Sequence, residues 1–176
     1  GAHHCARRLQ SKGYVVKLIA PQFVTPYVKS NKNDANDAQA ICEAMSRPRM
    51  RSVPVKTAEQ QAALMLVGVR DQLVARRTQL SNSIRGYAAE FGLVAAKGLD
   101  KIAPLLARIA ADARLPDLAK EMFTTLGADY AELGMRLCRV EARLRAWQRQ
   151  DETSQRLMEV PGVGPISADG TVIVRV

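Results

Sequence analysis

Two aspartates, Asp34 and Asp37, stand three residues apart in NKNDANDAQAI. On a helix that spacing puts both carboxylates on one face. A place in the first turn favours negative charge, because the helix dipole presents its positive end there. Two carboxylates on one face can share a hard divalent cation such as Mg²⁺, which takes oxygen ligands and keeps several waters. Two such ions can clamp the attacking and leaving oxygens of a phosphodiester. A pair rarely completes that site, so further ligands would come from elsewhere. Aspartates in a first turn also serve as caps and dipole partners, and spacing alone leaves both readings open.

Basic residues surround the pair. Lys29 and Lys32 precede it, and Arg47, Arg49, Arg51 and Lys56 follow it. Arg70, Arg76, Arg77 and Arg85 are spread over the next segment. Cations on one side of a groove are sufficient to contact phosphates; an isolated one such as Arg70 reads as part of a solvated face. His3, His4 and Cys5 are adjacent, point in different directions on a helix, and read as packing or surface groups rather than ligands of one ion. The chain has no GxSxG elbow, P-loop or HExxH.

The elements that must hold these residues come from a chain of 176 residues, with 47 % apolar residues and a net charge of +9. That length supports one good core or two small ones, and that composition excludes wholesale disorder. The positive excess points to a polyanionic partner. It is concentrated in residues 1–56, at +7, against +1 for 57–92, +3 for 93–150 and −2 for 151–176. No apolar run is long enough to span a membrane, and no signal peptide leads the chain. Cys5, Cys42 and Cys138 are far apart, which argues against a disulfide framework and for a reducing, cytoplasmic setting. The opening GAHH, as if inside a helix, and the apolar ending TVIVRV suggest a piece of a longer protein.

The first third reads as α/β. Residues 2–12 are helical, stopped by Gly13. YVVKLIA, residues 14–20, reads as a buried strand bounded by Gly13 and Pro21. Residues 21–28 form a short helical or turn segment, residues 34–46 a helix, and residues 51–55 an edge piece limited by Pro54. Thr57-Ala-Glu-Gln resembles a capping box opening a long helix to Phe91. In it Leu66, Leu73, Leu80 and Tyr87 recur every seven residues, Arg76 interrupts the seam, and Ile84 and Phe91 restart it one residue later. A shorter helix follows at 99–111. A second long helix, 116–150, carries Phe123, Leu126, Tyr130, Leu133, Leu137, Val140, Leu144 and Trp147 at alternating spacings of three and four, a coiled-coil seam. Gly127 and Gly134 inside it suggest close backbone approach. The economical architecture is an antiparallel hairpin or a dimer seam. VPGVGP, residues 160–165, has the pattern of a helix-hairpin-helix turn, in which Gly162 and Gly164 would free backbone N–H groups for a phosphate.

With these residues in view, the run from GAHH through NKNDANDAQAI and RPRMRSVPVK, with RTQLSNSIRGYAAEFG and VPGVGP, resembles the DEDD-type transposases of the insertion sequence 110 family. The resemblance covers nearly the whole chain and fades in its last dozen residues. It implies a RuvC-like (RNase H-like) domain with four acidic residues, of which Asp34 and Asp37 match the last two. The first Asp and the Glu have no match here. It also implies Mg²⁺, DNA as substrate, a structured guide RNA, and oligomers built through a coiled coil. A C-terminal domain supplying a serine nucleophile would follow, and no residue here matches that serine. The expected organisation is 1–56 as part of the RuvC-like domain, 57–150 as a coiled-coil helical region, and 151–176 as the start of the C-terminal domain. The implied activity is that of a DNA transposase and site-specific recombinase, acting at the bacterial nucleoid, with this piece inactive alone. The competing expectation is a non-catalytic nucleic-acid-binding and dimerisation module.

Overall fold

The computed structural model describes residues 1–29, 33–150, 156 and 159. The described residues divide into two compact units, one of residues 1–62 and one whose described part begins at residue 63 and takes in 63–150.

In the first unit, α1 (Ala2–Gln10) ends on Gly13, whose φ of 85° lies in the left-handed region. The Tyr14 N–H bonds back to the Leu9 carbonyl and the Gly13 N–H to that of Gln10. This is a Schellman closure, which an L side chain at Gly13 would strain. Pro21 opens α2 (Pro21–Val24), which tightens into a 3-10 turn over Thr25–Tyr27. Helix α3 (Asp34–Ser46) buries only Ala40 and Ala44, four residues apart on one face. Between α1 and the segment before the next helix, the Arg7 guanidinium donates to the Lys56 carbonyl at 2.6 Å and the Lys56 N–H to His3 Nδ1 at 3.1 Å.

The α/β reading of the first third is corrected here. Among the described residues no strand forms; Leu18 and Val53 make one antiparallel bridge, with the Val53 N–H 2.7 Å from the Leu18 carbonyl. Tyr14 and Val15 are 63 % and 92 % exposed rather than buried. The β-rich composition of YVVKLIA describes fitness for a pleated, half-buried surface, and one bridge supplies no such surface. The extended piece expected at 51–55 is where the other side of that bridge lies.

Helix α4 (Ala58–Glu90) starts from a complete capping box. The Gln60 N–H donates to Thr57 Oγ1 at 3.1 Å and the Thr57 N–H to Gln60 Oε1 at 2.9 Å, so each satisfies one orphan donor of the other.

In the second unit, α5 (Ile102–Ala111) follows a 3-10 turn, and α6 is Asp117–Gln148. Ile102, Leu105 and Ile109 fall on one face of α5 and are 1 % exposed or less. They close a core with Ile84, Ala88, Leu93, Leu115, Phe123 and Tyr130. At about 1.5–3 kcal/mol per buried aliphatic side chain, that core is the main source of stability in this unit. Arg70 pairs with Glu141 at 3.4 Å, Arg77 lies over Tyr130, and Phe91 meets Phe123 edge-on with centroids 6.2 Å apart. Rising numbers on α4 meet falling numbers on α6, so the pair runs antiparallel.

The predicted seam of α6 is its covered stripe. Phe123, Tyr130 and Leu144 are buried, and Leu126, Leu133, Leu137, Val140 and Trp147 are half-buried. Gly127 admits a close approach: a Cβ there would sit 3.1 Å from Leu106 Cδ1. The seven-residue pattern of α4 holds less well. Leu66, Leu73 and Leu80 are covered, but Tyr87 is 56 % exposed, and Phe91 beyond the helix is also exposed. A straight helix rotates a strict heptad by about 20° per repeat. By its last turns the buried face of α4 has passed to Ser81, Ile84 and Ala88.

Candidate functional site

The start of α3 shows which group caps the helix. Asn33 has extended backbone, and its Oδ1 accepts the Asn36 N–H at 2.8 Å. Its carbonyl accepts the Asp37 N–H at 3.0 Å. Asn33, not an aspartate, is therefore the cap: its side chain satisfies one orphan donor and its carbonyl accepts the first intrahelical bond. Asp34 is exposed and Asp37 half-buried, and neither carboxylate has a hydrogen-bond or ion-pair partner among the described residues. Both are available to an external ligand at the positive end of the helix.

Asp37 also borders a groove of about 460 Å³ whose walls are mostly apolar, including Leu18, Val24, Ile41 and Met45. Lys17 is the single cation and Asp37 the single carboxylate among its described lining residues. Two oxygen donors fit Mg²⁺, which commonly binds one or two carboxylates and completes its shell with water and phosphate. Among the described residues no cluster of three or more His, Cys, Asp or Glu could hold a metal.

The basic residues separate into groups. In the first unit Arg47, Arg49 and Arg51 line a groove of about 340 Å³ together with Phe23 and Tyr27. The Arg47 guanidinium lies 5.4 Å from the Tyr27 ring centroid and pairs with the Glu43 carboxylate one turn back. Arg49 and Arg51 are exposed and without an ion-pair partner among the described residues. Lys29 is exposed. Lys56 departs from the expectation that it reaches phosphate: it is 6 % exposed, fixed by its backbone bonds to His3 and Arg7. Burial of the imidazole, with the Lys56 and Arg7 charges nearby, holds His3 below its ordinary pKa.

In the second unit Arg76 is exposed, whereas Arg77 and Arg85 are half-buried. Arg77 covers the Tyr130 ring. Arg85 donates to the Gly98 carbonyl and to Ser81 and Asn82, tying the end of α4 to the turn before α5. Lys32, Gly162 and Gly164 lie outside the described residues.

Sequence reasoning missed Phe23 and Tyr27. Their signal is two aromatics four apart in PQFVTPY, each shortly after a proline, but the arginines that face them follow some twenty residues later. Only the fold joins the two segments.

Comparison with known proteins adds a family. The model of the insertion sequence 110 DEDD transposase domain, described as a transposase, matches residues 4–91. A putative transposase of Sinorhizobium fredii is 60 % identical over 168 residues, covering 96 % of this chain and 43 % of that protein. A probable family 20 transposase of Pseudomonas aeruginosa is 49 % identical over 170 residues, 95 % of this chain and 50 % of its own length. The transposase for insertion sequence element IS1328 of Yersinia enterocolitica is 43 % identical over 168 residues, 96 % of this chain and 50 % of that protein. The chain thus spans about half the length of the curated relatives it matches. No solved structure matches it.

Proposed function

This chain belongs to the insertion sequence 110 family of DEDD transposases, and from that membership we propose that it is the part of a DNA transposase that contributes Asp34 and Asp37 to a divalent-metal centre. The observation that carries this reading is the division of labour at the start of α3. Asn33 does the capping, which leaves both carboxylates without a partner among the described residues. Mg²⁺, when bound, would supply charge neutralisation at a phosphodiester and activation of an attacking oxygen. The chain's own part is to present Asp34 and Asp37 as oxygen donors on one helical face. Arg47, Arg49 and Arg51 hold the nucleic-acid backbone, and Lys29, on the other side of α3 in the sequence, adds a further cation.

The same reading places residues 1–56 in a RuvC-like domain, 57–150 in a coiled-coil region that joins copies of the chain, and 151–176 at the start of a C-terminal domain. The partners are DNA and a structured guide RNA, and the setting is cytoplasmic, at the nucleoid. Among the described residues no helix is long and apolar enough to cross a membrane. The 176-residue chain alone is catalytically inactive in this proposal, because two of four acidic positions and the serine have no match in it.

The alternative, a non-catalytic binding and dimerisation module, draws on the lack of a third ligand beside the aspartates among the described residues. Mn²⁺ titration followed by magnetic resonance, with duplex DNA present, separates the two. One saturable site abolished by Asp34→Asn and by Asp37→Asn is expected; binding that both variants leave intact removes the metal reading. Mg²⁺-dependent strand cleavage by the purified chain, lost in Asp34→Ala, would overturn its inactivity.

A further inference from the structure

We infer that the groove between Phe23, Tyr27 and the three arginines is a subsite for an unpaired nucleobase, so that this face takes single-stranded rather than purely duplex nucleic acid. The inference rests on the nucleic-acid reading above and deepens it.

Three observations converge on it. Phe23 sits at the wall of a groove with 40 % of its surface exposed. Tyr27, four residues on, forms a second wall, with the Arg47 guanidinium 5.4 Å from its ring centroid and paired with the Glu43 carboxylate. Arg49 and Arg51 border the same groove with no carboxylate partner among the described residues. A duplex backbone needs only the cations, because it offers phosphates and keeps its base faces stacked. Aromatic walls have a use when a base is splayed out. Its π-face can then stack on Phe23 or Tyr27, or on the Arg47 guanidinium plane, while Arg49 and Arg51 take the flanking phosphates. The volume, about 340 Å³, lies at the small end of the range for sites that enclose small molecules, roughly 300–1,000 Å³. That suits one base rather than an extended tract. Guanidinium groups suit the phosphates better than ammonium groups would, because their planar fork binds two oxygens at once.

The test uses the full chain and fluorescence anisotropy with three labelled probes: a mixed-sequence single strand, the same strand with abasic sites, and its duplex. Phe23→Leu keeps apolar bulk and removes the ring, and Phe23→Tyr keeps the ring. The expected result is a loss of about five- to a hundredfold for the single strand in Phe23→Leu, little change for the abasic strand and the duplex, and retention in Phe23→Tyr. Quenching of 2-aminopurine in the single strand, lost in Phe23→Leu alone, reads the stacking directly. Circular dichroism melting checks that the variants fold. Arg49→Ala with Arg51→Ala is expected to weaken all probes and reduce the single-strand salt slope by about 1.4. If that pair weakens binding while Phe23→Leu leaves the single strand unaffected, the base subsite is overturned and the phosphate interface stands. If the wild-type chain binds none of the probes, the nucleic-acid reading beneath the inference falls with it.

Discussion

The guanidinium of Arg77 lies 4.8 Å from the centroid of the Tyr130 ring, inside the antiparallel pairing of α4 and α6. Tyr130 is buried, and its hydroxyl donates to the Leu99 carbonyl at 3.1 Å, so one side chain links both long helices and the turn before α5. Gly134, one turn along α6, leaves room for the guanidinium: a Cβ there would lie 3.6 Å from an Arg77 terminal nitrogen. Arg77 therefore belongs to the hairpin in this structure, although its sequence context suggests a phosphate contact. A cation over a partly desolvated ring is worth about 0.5–2 kcal/mol. Arg77→Ala should lower the unfolding free energy by about 1–2 kcal/mol, since stem packing is lost as well. It should leave nucleic-acid affinity within about twofold. Urea unfolding and anisotropy on the same preparation check both; unchanged stability with a large affinity loss would return Arg77 to the interface.

The two glycines of α6 should respond oppositely to alanine. At Gly134 the added methyl meets the arginine at ordinary van der Waals distance. Gly134→Ala then gains about 0.5–1 kcal/mol from helix propensity. At Gly127 the methyl would sit 3.1 Å from Leu106 Cδ1, which packs against the core. The propensity gain is there offset by displacement of a packed side chain. Thermal melts should place Gly134→Ala above the wild type and Gly127→Ala at or below it.

How much of this could be read beforehand follows from the kind of signal each element carries. Local signals survive folding. Thr57 and Gln60 close their capping box, Gly13 ends α1, and Asp34–Ser46 has the bounds its composition implies. The α6 stripe was legible because eight apolar residues at three–four spacing mark one face whatever covers it. Partner-dependent features were not. YVVKLIA has the composition of a strand, but a strand is a ladder, and its single bridge to Val53 does not make one. Arg77 and Ser81 sit on the buried face of α4 because the core lies there, and no rule of residue type puts an arginine inward. The aspartate pair was legible as a motif. Its freedom from capping was not, because Asn33 and Asp34 are both good caps and only the bond from the Asn36 N–H distinguishes them.

That distinction gives a stability contrast. Asn33→Ala removes the cap and should cost about 1 kcal/mol. Asp34→Asn and Asp37→Asn remove only a favourable interaction with the helix dipole, about 0.3–1 kcal/mol each and reduced by salt. At about 0.5 M salt the two aspartate variants should melt close to the wild type while Asn33→Ala stays low. Aspartate variants that remain as unstable as Asn33→Ala at high salt would make the carboxylates structural groups.

His3 sets a pH dependence for the first unit. Its Nδ1 accepts the Lys56 N–H at 3.1 Å, which requires the neutral ring. Burial and the neighbouring Lys56 and Arg7 charges lower its pKa from 6.5. A folded-state pKa below the unfolded one means that the unfolded chain binds more protons as the pH falls past 6.5. The stabilisation is therefore complete above 6.5 and declines as the pH drops through the lowered value. His3→Gln keeps a hydrogen-bond acceptor and cannot titrate. Melts at pH 7.5 and 5.5 should show a larger fall in Tm for the wild type than for His3→Gln. Equal falls in the two proteins would assign the acid sensitivity to other groups and leave the bond between His3 and Lys56 without thermodynamic weight.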